Sequence, residues 1–371
     1  MKRCGIFVLF NEQGIVEGYI EELLKSVDEV LDRLIIVING KLLDNEKLKL
    51  NKYSDCIIQR ENVGFDGGAY KDIFTVFFRY EDWKQWDELL LVNDTFYGPF
   101  LPWSDIFMVM QERKCDFWGL SSHARGISAL FDGEVIAHHI QSYFIVIKKE
   151  MFLHRMFHQF WEDLEYSLTF KEAVKYFEIN FTEYFSKLGF KYESWIEVKK
   201  EQLHIEHYQY LNDMETWITK LNFPVFKRKM YKLQYYLSLK RIFQFIDKVT
   251  NYPIDVIQED IYLRSVEGKI EPYNPENIKQ FCDQYDEIYL FGKGEYARNI
   301  EQYLIDNGKS ICGYIVSKVR KTEDRVFRLD EFEVKPYQGV IVALNQKNLE
   351  EVKELIEKKI ASEQLIVPIY E

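Results

Sequence analysis

A glycine-rich segment at residues 61–70, with the sequence ENVGFDGGAY, joins a predicted strand to a predicted helix. A strand-like apolar run precedes it, and apolar residues at helical spacing follow it. Glycine at such a turn lets a phosphate or a ribose approach the backbone closely, because it adds no side chain. The segment therefore predicts a ligand site. Its candidate binding residues are Asn62, Gly64, Asp66, Gly67 and Gly68.

A second candidate site follows the apolar run at residues 89–92. That run predicts a buried parallel strand, so Asn93 and Asp94 fall at its carboxyl end, where open α/β sheets hold their ligands. A carboxylate there can hold a divalent cation such as Mg²⁺ or Mn²⁺. Asp94 is therefore the candidate metal ligand. The alternative is a turn or helix-capping aspartate before Thr95.

These two sites require a sheet that brings strand ends together. Between residues 1 and 225, predicted strands at 5–10, 34–38, 56–59, 89–92, 116–120 and 142–147 alternate with helical patterns, and a further helical pattern covers 171–187. This order predicts an α/β fold with a mainly parallel sheet, flanking helices and right-handed crossovers. The carboxyl ends of parallel strands lie along one edge, so the two sites are expected to be close together.

The predicted domains are 1–225, 226–283 and 284–371. The middle domain begins with a run of basic and aromatic residues, in which Tyr235 and Leu239 lie one helical turn apart. One interpretation is a helical connector whose aromatic residues pack on the first domain. The other is a basic amphipathic helix that docks on an anionic membrane surface.

The last domain begins with a strand-like run, followed by Gly292, Gly294 and Ala297 in a GxGxxA turn and then by a helical pattern. This order predicts a small Rossmann-like α/β domain, whose turn can place a pyrophosphate on a helix N-terminus. About 20 residues further on, where an NAD site has an acid for the ribose, the chain has Ser317 and Lys318. We expect an accessory or nucleotide-binding role without hydride chemistry.

Composition narrows the class of protein. The chain has 371 residues, of which 47% are hydrophobic, enough for two or three cores. A net charge of −12 argues against a nucleic-acid partner, which requires a basic surface. The five cysteines are scattered, which predicts a reducing cytosol and neither a zinc cluster nor a disulfide framework. No apolar run approaches the roughly 18–20 residues of a membrane span.

Four short motifs share one order and spacing. They are NVGFDGGAY at 62–70, VNDT at 92–95 with Gly98-Pro99, HIQSYF at 139–144 and YFEINFT at 176–182. On these residues, most of 1–225 resembles the rhamnan synthesis protein F family, within the GT-A, family-2-like glycosyltransferases. The resemblance implies a GT-A-like fold and transfer of L-rhamnose from dTDP-β-L-rhamnose to a growing cell-surface polysaccharide. It implies a cytoplasmic location. We also expect a lipid-linked glycan as the acceptor, with work at the inner face of the membrane.

The resemblance also assigns roles to individual carboxylates. Related enzymes carry an Asp-x-Asp motif, of which only Asp94 remains here, and this departure leaves metal dependence open. Glu178, followed by a helical pattern and a glycine as in family-2 enzymes, is the candidate general base for the acceptor hydroxyl. Ile179 stands where many relatives have a second acid, so Asp132 and Glu134 are reserve candidates. The alternative for Glu178 is an ordinary exposed helix glutamate.

Polar residues near the predicted strand ends complete the expected donor site. Amide and carboxylate groups can accept from a pyrimidine N–H or hold ribose hydroxyls, and others before the strand at 142–147 could line a sugar subsite. For Asn39 a plain turn is equally consistent, and for His139 a structural role is the alternative. The candidate residues are Asn11, Glu12, Asn39, His139, Gln141 and Ser142.

Two rival functions fit the same sequence. The last domain could make the chain a nucleotide-sugar oxidoreductase or modifying enzyme. Alternatively, the chain could be a non-catalytic scaffold in polysaccharide assembly, with a degenerate donor site in which Asn93 and Ile179 replace acids. Binding of NAD would favour the first rival, and failure to bind any nucleotide-sugar would favour the second.

Overall fold

The computed structural model describes residues 1–196, 214–228, 236–266, 275–317, 324–344 and 346–367. The chain divides into two compact units. The first comprises Met1–Arg228 with Ile246–Asp260, and the second comprises Lys229–Phe245 with Ile261–Glu371. The three-domain division with boundaries near 225 and 283 stays a prediction.

The strands of the first unit form where the sequence has apolar runs. β1, β2 and β4 are buried along nearly their whole length, which is typical of parallel strands covered on both faces. The strands are β1 (Arg3–Leu9), β2 (Arg33–Asn39), β3 (Cys56–Arg60), β4 (Glu88–Asn93), β5 (Phe96–Tyr97), β6 (Phe117–His123), β7 (Gly126–Ile127), β8 (Val135–Ile136), β9 (His139–Ile140), β10 (Phe144–Lys148), β11 (Tyr192–Ile196) and β12 (Phe226–Lys227).

The main sheet of this unit has the order β11-β6-β10-β4-β1-β2-β3. β1 pairs in parallel with β2 and β4, and β2 pairs in parallel with β3, so their carboxyl ends lie along one edge. β10 runs antiparallel between β4 and β6. The prediction of an α/β fold with a mainly parallel sheet is confirmed. The strand predicted at 142–147 begins at Phe144, because the N–H and hydroxyl of Ser142 donate to Glu178.

Helices flank the sheet. They are α1 (Gly18–Asp28), α2 (Asp44–Leu50), α3 (Phe65–Asp72), α4 (Tyr80–Trp83), α5 (Trp103–Gln111), α6 (Lys149–Phe152), α7 (Arg155–Asp163), α8 (Phe170–Ala173), α9 (Asn180–Lys187) and α10 (Met214–Leu221). A π-helical turn, Ile73–Phe77, extends α3, and a second, Val174–Ile179, joins α8 to α9. Phe177, Phe181 and Phe185 from this continuous helix pack into the main aromatic core.

Two helices, α11 (Tyr236–Val249) and α12 (Ile254–Val266), contribute residues to both units. In the second unit, five parallel strands have the order β15-β14-β13-β16-β17. Its elements are α13 (Pro275–Cys282), β13 (Glu287–Phe291), α14 (Glu295–Asp306), β14 (Gly313–Val316), β15 (Val326–Arg328), β16 (Gln338–Val342), α15 (Gln346–Lys359) and β17 (Leu365–Ile366). In the part of the chain that the structure describes, no helix is long and apolar enough to cross a bilayer.

Candidate active site

The glycine-rich turn lies between β3 and α3. Gly64 has a φ of +78°, a left-handed conformation that favours glycine. A Cβ on Gly68 would lie 2.2 Å from the carbonyl oxygen of Val63, and one on Gly67 would lie 3.0 Å from Cβ of Phe177. Contacts within the protein therefore require glycine at positions 67 and 68. Ligand binding by these glycines stays a prediction.

Asp66 and Asn93 connect the two predicted sites. Nδ2 of Asn93 donates to Oδ2 of Asp66 at 2.6 Å, and Oδ1 of Asn93 accepts from the hydroxyl of Thr95 at 2.6 Å. The structure thus brings the glycine-rich turn to the carboxyl end of β4. Burial raises the pKa of Asp66 to about 6. The negative charge of Glu178 adds to this shift, whereas the hydrogen bond from Asn93 opposes it.

Asp94 is buried beside the end of β1. Its Oδ2 accepts from the backbone N–H of Phe10 at 3.4 Å and lies 3.6 Å from Nη1 of Arg228. Burial raises the pKa of Asp94 to about 7; the positive charge of Arg228 opposes this shift, and the negative charge of Asp66 adds to it.

Arg228 is the centre of a buried carboxylate cluster that sequence reasoning missed. Its Nη2 lies 3.5 Å from Glu17 and 3.4 Å from Asp260, besides the contact of Nη1 with Asp94, and its guanidinium stacks 4.3 Å from the ring centroid of Tyr19. In the sequence, Arg228 is one base in a basic run, and no periodicity distinguishes it. The guanidinium of Arg228 therefore faces three buried acids.

Glu178 lies on the π-helical turn, accepts hydrogen bonds from Ser142 in the loop after β9, and faces His139 of β9. Its Oε2 accepts from the N–H and the hydroxyl of Ser142 at 2.9 and 2.7 Å, and its Oε1 lies 3.6 Å from Nε2 of His139. Burial favours the protonated form, but His139, the charge of Lys227 and the Ser142 bonds outweigh it. They hold the pKa of Glu178 well below its usual range.

The neighbours of Glu178 are themselves fixed. Nδ1 of His139 donates to the carbonyl of Ala137 at 2.8 Å, which directs Nε2 to Glu178. The carbonyl oxygen of the Gln141 side chain accepts from the hydroxyl of Ser121 at 2.7 Å. Lys227, which the sequence placed in the connector, is buried on β12 with its Nζ 4.2 Å from the ring centroid of Tyr143. Its cation is therefore a second missed member of the site.

Two predicted nucleotide-binding amides have protein partners. Oδ1 of Asn11 accepts from the N–H groups of Gln13 and Ile15 at 2.9 and 3.3 Å, which shapes the loop after β1. Oδ1 of Asn39 accepts from Nη1 of Arg60 at 2.6 Å, and its Nδ2 donates to a backbone carbonyl. Both side chains therefore organise strand ends, and nucleotide binding by them stays a prediction.

An exposed surface lies at the carboxyl ends of β1, β2 and β3. A Cβ on Gly40 would lie 3.8 Å from Cε2 of Phe10 and 3.9 Å from Cβ of Asn62, so these three residues are neighbours. The Phe10 side chain is 42% exposed, and Asn62 and Glu12 are also exposed. Sequence reasoning counted Phe10 as the last strand residue. The position of Phe10 directly after the apolar run of β1 is the signal that could have identified it as a surface residue at the strand end.

The reserve bases lie on the hairpin formed by β7 and β8. Lys171 and Lys175 form ion pairs with Asp132 and Glu134 at 2.5 and 3.2 Å. All four side chains are at least 46% exposed. These pairs link the hairpin to the helix that carries Glu178.

The GxGxxA turn of the second unit joins β13 to α14. Gly292 has a φ of +110°, and a Cβ there would lie 2.6 Å from the carbonyl oxygen of Ala343. Gly294 begins the helix with open space around it, and Ala297 is buried. A cofactor-binding role for Gly292, Gly294 and Ala297 stays a prediction.

Metal binding would depend on few protein ligands. Within the described ranges, no group of three or more His, Cys, Asp or Glu side chains is arranged to hold a metal ion. Mg²⁺ commonly takes only one or two carboxylates together with substrate phosphates. Asp94 offers one such carboxylate, already 3.6 Å from a guanidinium.

A family model described as rhamnan synthesis protein F matches residues 34–318. The chain belongs to the rhamnan synthesis protein F family. This family member is 24% identical over 186 residues to the uncharacterized protein y4gN of Sinorhizobium fredii, a match that covers 50% of this chain and 46% of y4gN. It is 32% identical over 110 residues to the virulence protein VirA of Vibrio anguillarum, covering 30% of each chain.

This rhamnan synthesis F chain therefore matches less than half the length of each of these two curated relatives. Among solved structures, it is similar to the inositol-1-phosphate CTP transferase from T. maritima. That similarity has a TM-score of 0.31 and 14% identity, and it covers 52% of this chain and 84% of that one.

Proposed function

We propose that this chain is an inverting glycosyltransferase that moves L-rhamnose from dTDP-L-rhamnose to a lipid-linked glycan in bacterial cell-surface polysaccharide synthesis. Membership of the rhamnan synthesis protein F family supports a glycosyltransferase role in polysaccharide synthesis. The observation that carries the proposal is the convergence of carboxylates from three separate motifs. Glu178 is close enough to Asp66, and Asp66 to Asp94, for each charge to raise the pKa of the next group.

In the proposed donor complex, the base lies on the exposed surface of Phe10, Gly40 and Asn62. An exposed aromatic face beside a glycine leaves room for a pyrimidine to stack. The diphosphate would lie towards Asp94 and the turn at Gly64. Mg²⁺ or Mn²⁺, held by Asp94 and the phosphates of the donor, would supply neutralisation of the diphosphate charge.

In the proposed transfer, the acceptor hydroxyl oxygen bonds to the anomeric carbon while the bond from that carbon to the phosphate oxygen breaks. The electron pair leaves with dTDP, and Glu178 takes the hydroxyl proton. The partners that hold Glu178 ionised also make it a weak base. Asp66, with its pKa raised to about 6, is better matched to neutral pH and is the second candidate base.

Turnover and donor binding measured on the same variants test this proposal. We expect Glu178→Gln to lower kcat by at least about 100-fold, with calorimetric binding of dTDP-L-rhamnose retained. If Asp66 is the base, Asp66→Asn should instead cause this loss of kcat. Asp94→Ala should abolish any Mn²⁺-dependent part of that binding. Near-wild-type turnover would remove the altered residue from the mechanism. A wild-type chain that binds no nucleotide-sugar but captures partner enzymes would support a scaffold.

The second unit supports an alternative enzyme function. Its central strand β13 has parallel neighbours on both sides and ends in a glycine turn before a helix, an arrangement suited to a Rossmann-like nucleotide site. We propose an accessory nucleotide-binding role. NAD binding with cofactor turnover, and no binding of dTDP-L-rhamnose, would instead favour a nucleotide-sugar oxidoreductase or modifying enzyme. The proposed location is the cytoplasm at the inner face of the membrane.

A further inference from the structure

A cavity of about 550 Å³ lies in the first unit, beside the helix that carries Glu178. It is bordered by β8, the end of α7 and the helical segment that continues from the π-helical turn into α9. None of the predicted substrate-binding residues lines it. Its volume falls within the range of small-molecule sites in proteins.

The cavity combines an apolar floor with a polar rim. Phe131, Ile136 and Ile179 are at most 9% exposed and form one small apolar cluster. Tyr176, which is 38% exposed, and Asn180 stand at the rim. A sugar ring needs both surfaces, because its C–H groups pack on apolar and aromatic side chains while its hydroxyls need hydrogen-bond partners.

Charge selects among such ligands. Among the described residues that line the cavity, four are carboxylates and one, Lys175, is a cation. Lys175 already pairs with Glu134 at 3.2 Å. Phosphates and acidic sugars would be repelled by this surface. Carboxylates accept hydrogen bonds from neutral hydroxyls without such a penalty. The lining therefore favours a neutral, hydroxyl-rich ligand over a nucleotide or a lipid pyrophosphate.

The cavity lies next to the candidate base Glu178, because some of its lining residues adjoin Glu178 in the chain or bond to the histidine that faces it. Ile179 and Asn180 line the cavity, and they directly follow Glu178 on the same helix. Ala137 also lines it, and its carbonyl oxygen accepts from Nδ1 of His139, the histidine that faces Glu178. A chain bound in the cavity would therefore lie next to the groups that hold the base.

We infer that this cavity binds a neutral oligosaccharide segment of the acceptor glycan. The identification of that glycan as the acceptor rests on the proposed function. Binding of the oligosaccharide itself rests only on the lining of the cavity.

Two tetrasaccharides of equal length test the inference by calorimetry and saturation-transfer NMR, without donor present. One is a neutral rhamnose tetrasaccharide, and the other contains glucuronic acid. Tyr176→Ala removes the aromatic rim, and Tyr337→Ala, at a side chain exposed to 41%, is the matched control. Glu165→Gln with Glu183→Gln removes charge at the rim and leaves hydrogen-bonding amides.

We expect the neutral tetrasaccharide to bind better than the acidic one, and Tyr176→Ala to weaken its binding about tenfold, with the control unchanged. The Gln double variant should bind the acidic tetrasaccharide more tightly than the wild type does. Absence of binding of the neutral tetrasaccharide, or equal binding in Tyr176→Ala, would overturn the inference. Titration with dTDP-L-rhamnose tests the proposed function separately, because no cavity variant should alter it.

Discussion

The guanidinium of Arg228 faces Glu17, Asp94 and Asp260, whose side chains are each at most 9% exposed. Its Nε atom is also buried, without a hydrogen-bond partner in the described chain. Buried carboxylates without a nearby cation are costly, because the interior solvates charge poorly. Arg228 therefore stabilises this cluster, and its positive charge also opposes the rise that burial causes in the pKa of Asp94.

Replacing Arg228 by Met should lower the free energy of unfolding by about 3–5 kcal/mol, because it removes the cation that faces the buried carboxylate of Asp94. Arg228→Lys should retain part of this stability. Urea unfolding measures both effects. Arg328→Met is the control, since Arg328 forms exposed ion pairs with Asp330 and Glu331 and should cost less than about 1 kcal/mol. A cost below about 1 kcal/mol for Arg228→Met as well would contradict this account of the cluster.

Glu178 should make stability depend on pH at the acid end. Its pKa is lower in the folded protein than the ordinary value of 4.5. Its stabilising contribution is therefore present above the unfolded pKa and is lost as pH falls through the folded pKa. Melting temperatures measured between about pH 5 and pH 3 should fall less for Glu178→Gln than for wild type. Glu183→Gln, at an exposed position on the same helix, should follow wild type. An equal dependence of melting temperature on pH in Glu178→Gln and Glu183→Gln would contradict the stabilising interactions assigned to Glu178.

At the scale of residues, the sequence indicated Asp66, Asp94 and Glu178 as site candidates, but it indicated neither Glu17 and Asp260 nor the cations. Asp66, Asp94 and Glu178 could be expected near one another because each follows or adjoins a recognisable strand or helix. Lys227 and Arg228 could not, because β12 is two residues long and pairs with the equally short β5. Such a strand leaves no periodic pattern, so its partner is fixed only by the tertiary structure.

At the scale of elements, α3 packs closely against the loop before it and the helix that carries Glu178. The sequence predicted one helical run around Glu178, and the structure confirms it, with a π-helical turn at Val174–Ile179. The spacing of apolar residues could not predict the π-helical turn. One inserted residue changes that spacing by less than the variation found among ordinary helices. Extra residues of this kind often occur near functional sites.

Gly68→Ala should destabilise the protein by about 1–3 kcal/mol through overpacking, because its Cβ would lie 2.2 Å from a backbone oxygen. Gly294→Ala is the matched control, since that position has open space and a φ of −81°. Chemical unfolding of both variants gives the comparison. Equal stability of Gly68→Ala and wild type would mean that the turn moves freely, and the packing argument would fail. Loss of nucleotide binding by Gly294→Ala alone would support a ligand role for that glycine.

At the scale of the whole molecule, the chain is acidic overall but contains a local run of basic residues, so its attraction to an anionic membrane depends on that run. The net charge of −12 disfavours general adsorption to anionic surfaces. The basic and aromatic run includes Lys232 and Lys240, and the first of these lies outside the described residues. If the run docks on a membrane, its lysines supply attraction of about 1 kcal/mol each.

Cosedimentation with phosphatidylglycerol vesicles measures this attraction. We expect Lys232→Glu with Lys240→Glu to lower binding at least about tenfold, and added salt to weaken wild-type binding. Lys187→Glu with Lys358→Glu changes the net charge equally at exposed sites and should have less effect. Equal losses in both double variants, or no binding by wild type, would favour a connector that packs within the protein.

The distance along the chain between Asp94 and its cation also matters while the protein is being made. Arg228 follows Asp94 by 134 residues, which a ribosome translating about 5–20 residues per second needs roughly 7–27 s to add. During that interval the nascent chain holds Asp94 without the guanidinium that faces it in the folded protein. We expect chains stalled before residue 228 to stay sensitive to protease around β1 and β4, and stalled chains that expose residue 260 to be protected.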